Sequence, residues 1–132
     1  IYVFTQAGLE GENNISIIKF NIKTDTVEDI FEYYFYNNSI LSATTYVDEN
    51  KFFLAERLID KHFINQMEFK NSVFKRSGIL RTLTTSDNIT KNMKIEGLAK
   101  DGDDIYIIND NDFGIDSENV KDSFIMQFKI KK

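Results

Sequence analysis

Three stretches decide the fold: Ile1-Tyr2-Val3-Phe4-Thr5-Gln6, Phe52-Phe53-Leu54-Ala55-Glu56-Arg57 and Ile105-Tyr106-Ile107-Ile108-Asn109-Asp110. Each is an apolar run of β-branched and aromatic residues that closes on a polar end, as a strand in a packed sheet does. They are spaced by 51 and then 53 positions, and a repeat near 50 residues points to propeller blades. In the same register, Ile40 to Asn50 and Lys94 to Asp103 precede the second and third runs, each closing in a tight acidic turn. Further strands follow at Ile15 to Lys23, Ile64 to Val73 and Ser123 to Lys131, with outer strands at Ile30 to Tyr36 and Ile79 to Thr84.

The expected fold class is therefore all-β, a β-propeller fragment of about three four-stranded blades. Residues 1–38 supply strands b-c-d of one blade, 39–86 a full blade, and 87–132 strands a-b-c of a last one, where a is innermost. A self-contained β-sandwich of similar strand number is the alternative. A helix over Val27 to Phe35 is disfavoured because Tyr33, Tyr34 and Phe35 in a row leave it no polar face. Propellers close with roughly four to eight blades. The expectation is thus that the remaining N-terminal part of a propeller, or an oligomeric partner, completes the ring, and that a chain opening on Ile1 is a fragment or a processed product.

Composition narrows the function classes. The chain of 132 residues, 42% hydrophobic and 28% charged, suits one globular domain with a core. Its apolar runs are far short of the roughly 20 residues that a membrane-spanning helix needs. A net charge of −5 disfavours a nucleic-acid partner, which is held mainly by clustered Lys and Arg. With no Cys, there is neither a disulfide nor a thiolate site. Between 96 and 122 stand Glu96, Asp101, Asp103, Asp104, Asp110, Asp112, Asp116, Glu118 and Asp122 against only Lys100 and Lys121. A cation would go there.

In an antiparallel blade, the start of strand a and the end of strand b open on the same face. That register brings Glu96 and Asp110 together, with Asn111 and Asp112 next along, as hard oxygen ligands suited to calcium or magnesium. Metal ligation by Glu96, Asp110 and Asp112 stands beside the plainer reading that Asp110 to Asp112 close a loop by Asx turns. An EF-hand over Asp110 to Lys121 fails, since Gly114 falls at loop position 5 and Lys121 replaces the bidentate Glu. Gln6, Glu56 and Arg57 are expected on the same face. Arg57 can grip a phosphate or carboxylate, with Glu56 orienting it or acting as general base toward water; the alternative for both is an inter-blade salt bridge. His62, the one histidine, reads as a surface loop residue with no nucleophile elbow before it.

The segment Ile95-Glu96-Gly97-Leu98-Ala99, Asp101-Gly102-Asp103-Asp104, Ile105 to Asn109 and Asp110-Asn111-Asp112-Phe113-Gly114 resembles the "EGLA…DG…LYVVNDNDFG" blade of the phytase-like family, also called the esterase-like-activity-of-phytase domain. Thr5-Gln6 and Leu54-Ala55-Glu56-Arg57, close to that family's "LVLER", are similar to it in the same order. The resemblance spans essentially the whole chain, as the C-terminal half of a longer domain. At the start of the middle blade the family tends to carry an acidic residue, where Ser42-Ala43 stand here. The resemblance implies a secreted or periplasmic hydrolase-like protein that binds Ca2+, with Glu96 as a ligand as in the more distantly similar β-propeller phytases, and an anionic or phosphorylated small molecule; Gln6, Glu56, Arg57 and Asn111 are the residues that the strand register places on the substrate side. It leaves open a non-catalytic ligand- or protein-binding module with a structural ion.

Overall fold

Antiparallel strands build every sheet in the computed structural model, which describes residues 1–5, 13–35, 39–58, 61–84, 94–110 and 123–130. The strands are β1 (Tyr2–Phe4), β2 (Asn14–Asn21), β3 (Thr26–Tyr34), β4 (Ile40–Asp48), β5 (Lys51–Arg57), β6 (His62–Lys70), β7 (Val73–Leu83), β8 (Lys94–Asp101), β9 (Asp104–Asp110) and β10 (Ile125–Lys129). They form three antiparallel sheets, each a meander in chain order: β1-β2-β3, β4-β5-β6-β7 and β8-β9-β10. The protein is all-β, and none of these sheets closes on itself. The three deciding stretches lie on β1, β5 and β9, in three different sheets. Val27 to Tyr34 lies within strand β3, which starts earlier than expected, and β7 likewise begins at Val73 rather than Ile79.

The four-stranded sheet lies between the other two, and β5 shows why its sequence departs from apolar/polar alternation. Phe52 and Leu54 face the first sheet, in a core with Ile15, Ile17, Tyr33, Phe35, Leu41, Met67 and Phe74. Phe53 and Ala55 face the last sheet, in a second core with Ala43, Ile64, Leu83, Ile95, Ile105 and Ile107. A strand covered on both faces must be apolar at successive positions. Each large side chain buried this way contributes about 1.5–3 kcal/mol.

The first interface is rich in rings. Tyr2 and Phe4 meet Phe52 edge-on at centroid separations of 5.4 and 5.5 Å, and Phe31 meets Phe69 and Phe74 at 5.0 and 5.2 Å. Such tilted pairs set ring edge against ring face, which adds about 0.5–1.5 kcal/mol per pair beyond area burial. At the second interface β4 packs along β8, while β3 packs along β7 across the first. Like-placed strands therefore sit side by side in adjacent sheets.

The three deciding stretches also share one facing. Ile1, Val3 and Thr5 take the orientation of Phe52, Leu54 and Glu56, and of Ile105, Ile107 and Asn109, as the strand pairings require. The spacing of the repeat thus marks equivalent positions in equivalent strands.

Candidate functional site

A meander puts its connections alternately at two ends, and here the two ends differ. Tight turns at Ile22 to Asp25, Glu49–Asn50, Asn71–Ser72 and Gly102–Asp103 join β2–β3, β4–β5, β6–β7 and β8–β9 at one end. The connections β1–β2, β3–β4, β5–β6, β7–β8 and β9–β10 all leave from the other, and most of them are longer. Residues on connections carried by a rigid scaffold are where binding groups concentrate. The end of β5, the start of β8 and the end of β9 meet at this loop-bearing end.

Arg57 closes β5 and Glu96 stands near the start of β8, and the structure brings these two together. Arg57 Nη1 lies 3.9 Å from Glu96 Oε1, with the side chains 23% and 37% exposed. The pair ties the middle sheet to the last one, as the inter-blade salt bridge would. At that separation it is an ion pair without a hydrogen bond. Partial exposure leaves both groups within reach of a ligand.

Glu96 is aimed by a register shift between Ile95 and Gly97. A matching shift between Leu41 and Ala43 sets Ser42 at the like place on β4, where Ser42 Oγ donates to the Ala55 carbonyl at 3.1 Å. Bulges re-aim single side chains in this way. Between the two lies a cavity of about 260 Å³ lined by Phe4, Leu41, Ser42, Ala43, Thr44 and Glu96, so all three sheets contribute to it. Gly97 has its own reason to be glycine: a Cβ there would run into the Ile108 side chain on the neighbouring strand.

Glu56 corrects the sequence reading. Of its two expected roles, a ligand-orienting or water-activating group at the open face and a salt bridge, the first is overturned, because Glu56 is fully buried between the first and middle sheets; it does form a salt bridge, with Arg76 of its own sheet rather than between blades. Arg76 Nη2 donates to both of its oxygens at 2.9 Å, Tyr33 Oη donates to Oε1 at 2.9 Å, and Ser39 Oγ to Oε2 at 3.3 Å. Such a carboxylate fastens two sheets and is closed to a substrate. Alternation is the cause, because Glu56 shares the face of Phe52 and Leu54. Burial, followed by the Glu56 charge, pushes the Tyr33 phenol well above its ordinary range.

His62 is corrected as well. It opens β6 opposite Arg57 and Leu83 and is buried, rather than lying on a surface loop. Tyr33, Ser39 and Arg76 were missed by sequence reasoning. A signal for Arg76 exists in its position two residues after the buried Phe74, on the same strand face.

Asp110 ends β9 opposite Lys94; its side chain lies outside the described residues, as do Gln6, Asn111 and Asp112. Among the described residues no three His, Asp or Glu side chains converge as a metal-holding group. Of the expected ligand set, Glu96 is the member whose surroundings are described. Asn109 ties the β9–β10 connection down, its Oδ1 accepting from the Phe124 N–H at 2.6 Å. Compared with known proteins, the chain matches no family model, no curated protein and no solved structure.

Proposed function

We propose that this chain is part of a phytase-like β-propeller, of the exported kind its motifs resemble, whose loop-bearing end binds a divalent cation together with an anionic or phosphorylated small molecule. The observation that carries the reading is the partly exposed Arg57–Glu96 pair at the end from which the longer connections leave, beside a cavity that all three sheets line. Support for the architecture comes from the meander order, the shared facing of β1, β5 and β9, and the packing of β4 on β8 and β3 on β7. In this reading Glu96, Asp110 and Asp112 hold calcium through hard oxygen ligands. Arg57 takes the anion, with Gln6 and Asn111 beside it.

A second reading, a non-catalytic binding module with a structural ion, is favoured by one observation. Glu56, the candidate base, is enclosed by Arg76, Tyr33 and Ser39. Hydrolysis would need its base from elsewhere on the loop-bearing end.

Calorimetric titration of the whole chain with calcium chloride, then with p-nitrophenyl phosphate, tests both readings. Calcium should bind the parent and fail to bind a Glu96→Gln, Asp110→Asn double variant. Phosphate-ester binding should need calcium and weaken at least tenfold in Arg57→Ala. Release of nitrophenol selects the hydrolase, and binding without release selects the module. Equal calcium binding by parent and double variant would overturn the site.

A further inference from the structure

β1 and β9 end alike. In the first sheet the pairing of β1 with β2 runs to Phe4 and Ile17, and one step further along Thr5 Oγ1 accepts from the Ser16 N–H at 3.0 Å. In the last sheet the pairing of β9 with β10 runs to Ile108 and Ile125, and one step further along Asn109 Oδ1 accepts from the Phe124 N–H at 2.6 Å. Thr5 and Asn109 thus hold the same place in the repeat. At each, a side-chain oxygen takes the N–H of the residue across from it, and so clamps the incoming chain at the point where the strand pairing gives out.

The middle sheet does without this clamp. Its pairing of β5 with β6 runs on through Glu56 and Phe63 to Arg57 and His62, and the connection that follows is short. The side chain at the like place, Glu56, goes to Arg76, Tyr33 and Ser39 instead. A side chain with an acceptor oxygen therefore stands at this position in all three sheets, and it clamps the backbone in the two whose following connection is long.

In the last sheet the clamp bears on the candidate site. Asn109 is buried, pairs across to Ile95 at the register shift that aims Glu96, and is followed directly by Asp110. The end of β9 is thereby held on both sides, by its backbone to β8 and by the Asn109 carboxamide to the approach of β10. Oxygen ligands of calcium must converge to roughly 2.3–2.6 Å from the ion. A strand end that shifts would carry Asp110 away from Glu96.

We infer that Asn109 is a positioning residue for the cation: by clamping Phe124 to the end of β9, it sets the spacing of Glu96 and Asp110 without itself touching the ion. The inference rests on the reading that these two carboxylates hold calcium.

Calorimetric titration with calcium chloride, together with hydrogen exchange at the Phe124 amide, tests it on the whole chain and its variants. Asn109→Leu removes the acceptor at similar bulk, Asn109→Thr supplies the acceptor that the first sheet uses, and Thr5→Val removes the first sheet's clamp. Asn109→Leu should bind calcium about tenfold more weakly, the lower end for groups that orient metal ligands, and its Phe124 amide should exchange faster than in the parent. Asn109→Thr should recover most of both. Thr5→Val should keep the calcium affinity of the parent, because its clamp lies in a sheet without Glu96. If Asn109→Leu loses its β signal in circular dichroism, Asn109→Ala takes its place. An unchanged affinity in Asn109→Leu, no recovery in Asn109→Thr, or an equal loss in Thr5→Val would overturn the inference and leave the calcium site standing. A parent that binds no calcium would overturn the reading beneath it and the inference together.

Discussion

Arg76 on β7 reaches across β6 to Glu56 on β5, its Nη2 lying 2.9 Å from both carboxylate oxygens. The two partners are unequally placed. Glu56 has no exposure, whereas the Arg76 side chain keeps 21% of its own. A buried carboxylate stripped of its cation has nowhere to turn, while a guanidinium near the rim can swing into water.

Arg76→Met should therefore cost about 3–5 kcal/mol, the range for a buried charge left uncompensated. Glu56→Leu should cost less than half of that. The double variant should lie close to Glu56→Leu alone, because the orphaned charge is gone. Urea unfolding of the four proteins checks this; additive single losses would show that the pair is not coupled.

Tyr33 adds a pH dependence. Its phenol is held neutral in the fold to a higher pH than in the unfolded chain, chiefly by burial and next by the Glu56 charge. The unfolded chain therefore releases this proton first. The stability the group contributes is whole below about pH 10, the ordinary phenol value, and is lost as pH rises beyond it. Unfolding midpoints between pH 8 and 11 should fall more steeply for the parent than for Tyr33→Phe. Tyr33→Phe should itself cost about 2 kcal/mol at neutral pH, as for loss of a hydrogen bond to a charged group. Parallel slopes would show that Tyr33 does not govern the alkaline limb.

Much of this fold is legible in the sequence, for one reason. A strand covered on one face alternates, and a strand covered on both is apolar throughout, so β1, β5 and β9 and their spacing stand out. The same rule, carried to the ends of the strands, puts Glu56 with Phe52 and Leu54, inside. Its place at the strand end points to the open face, whereas its parity with Phe52 and Leu54 points inward, and parity decides. Arg76 is a different matter. Its partner lies 20 positions away across an intervening strand, and local pattern carries no information about such a reach. At the loop-bearing end, the strand register puts Arg57 and Glu96 on one face without naming them as partners, whereas the bulge that aims Glu96 has only Gly97 as its trace.

Gly97 supplies a test of that bulge. A methyl group added there meets the Cγ2 of Ile108, a β-branched side chain with little rotamer freedom. Gly97→Ala should cost about 1–3 kcal/mol, as overpacking does. Adding Ile108→Ala should recover most of the loss, giving a coupling of at least about 1 kcal/mol in a double-mutant cycle. A Gly97→Ala protein as stable as the parent would show that the strands part easily at this point.

The repeat itself makes the last prediction. Leu54 and Val3 hold the same position in their sheets and point the same way, yet Leu54 sits between two layers and Val3 has a layer on one side only. Leu54→Ala should cost about 2–5 kcal/mol, since the lost methyl groups leave a cavity in the buried core that Leu54 shares with Ile15, Ile17 and Met67. Val3→Ala should stay within about 0.5 kcal/mol, because the removed atoms already meet water. The difference is a property of the stack and not of the side chains. Urea unfolding of the two variants beside the parent reads both numbers, and a Val3 effect as large as that of Leu54 would mean that the two positions are equally covered.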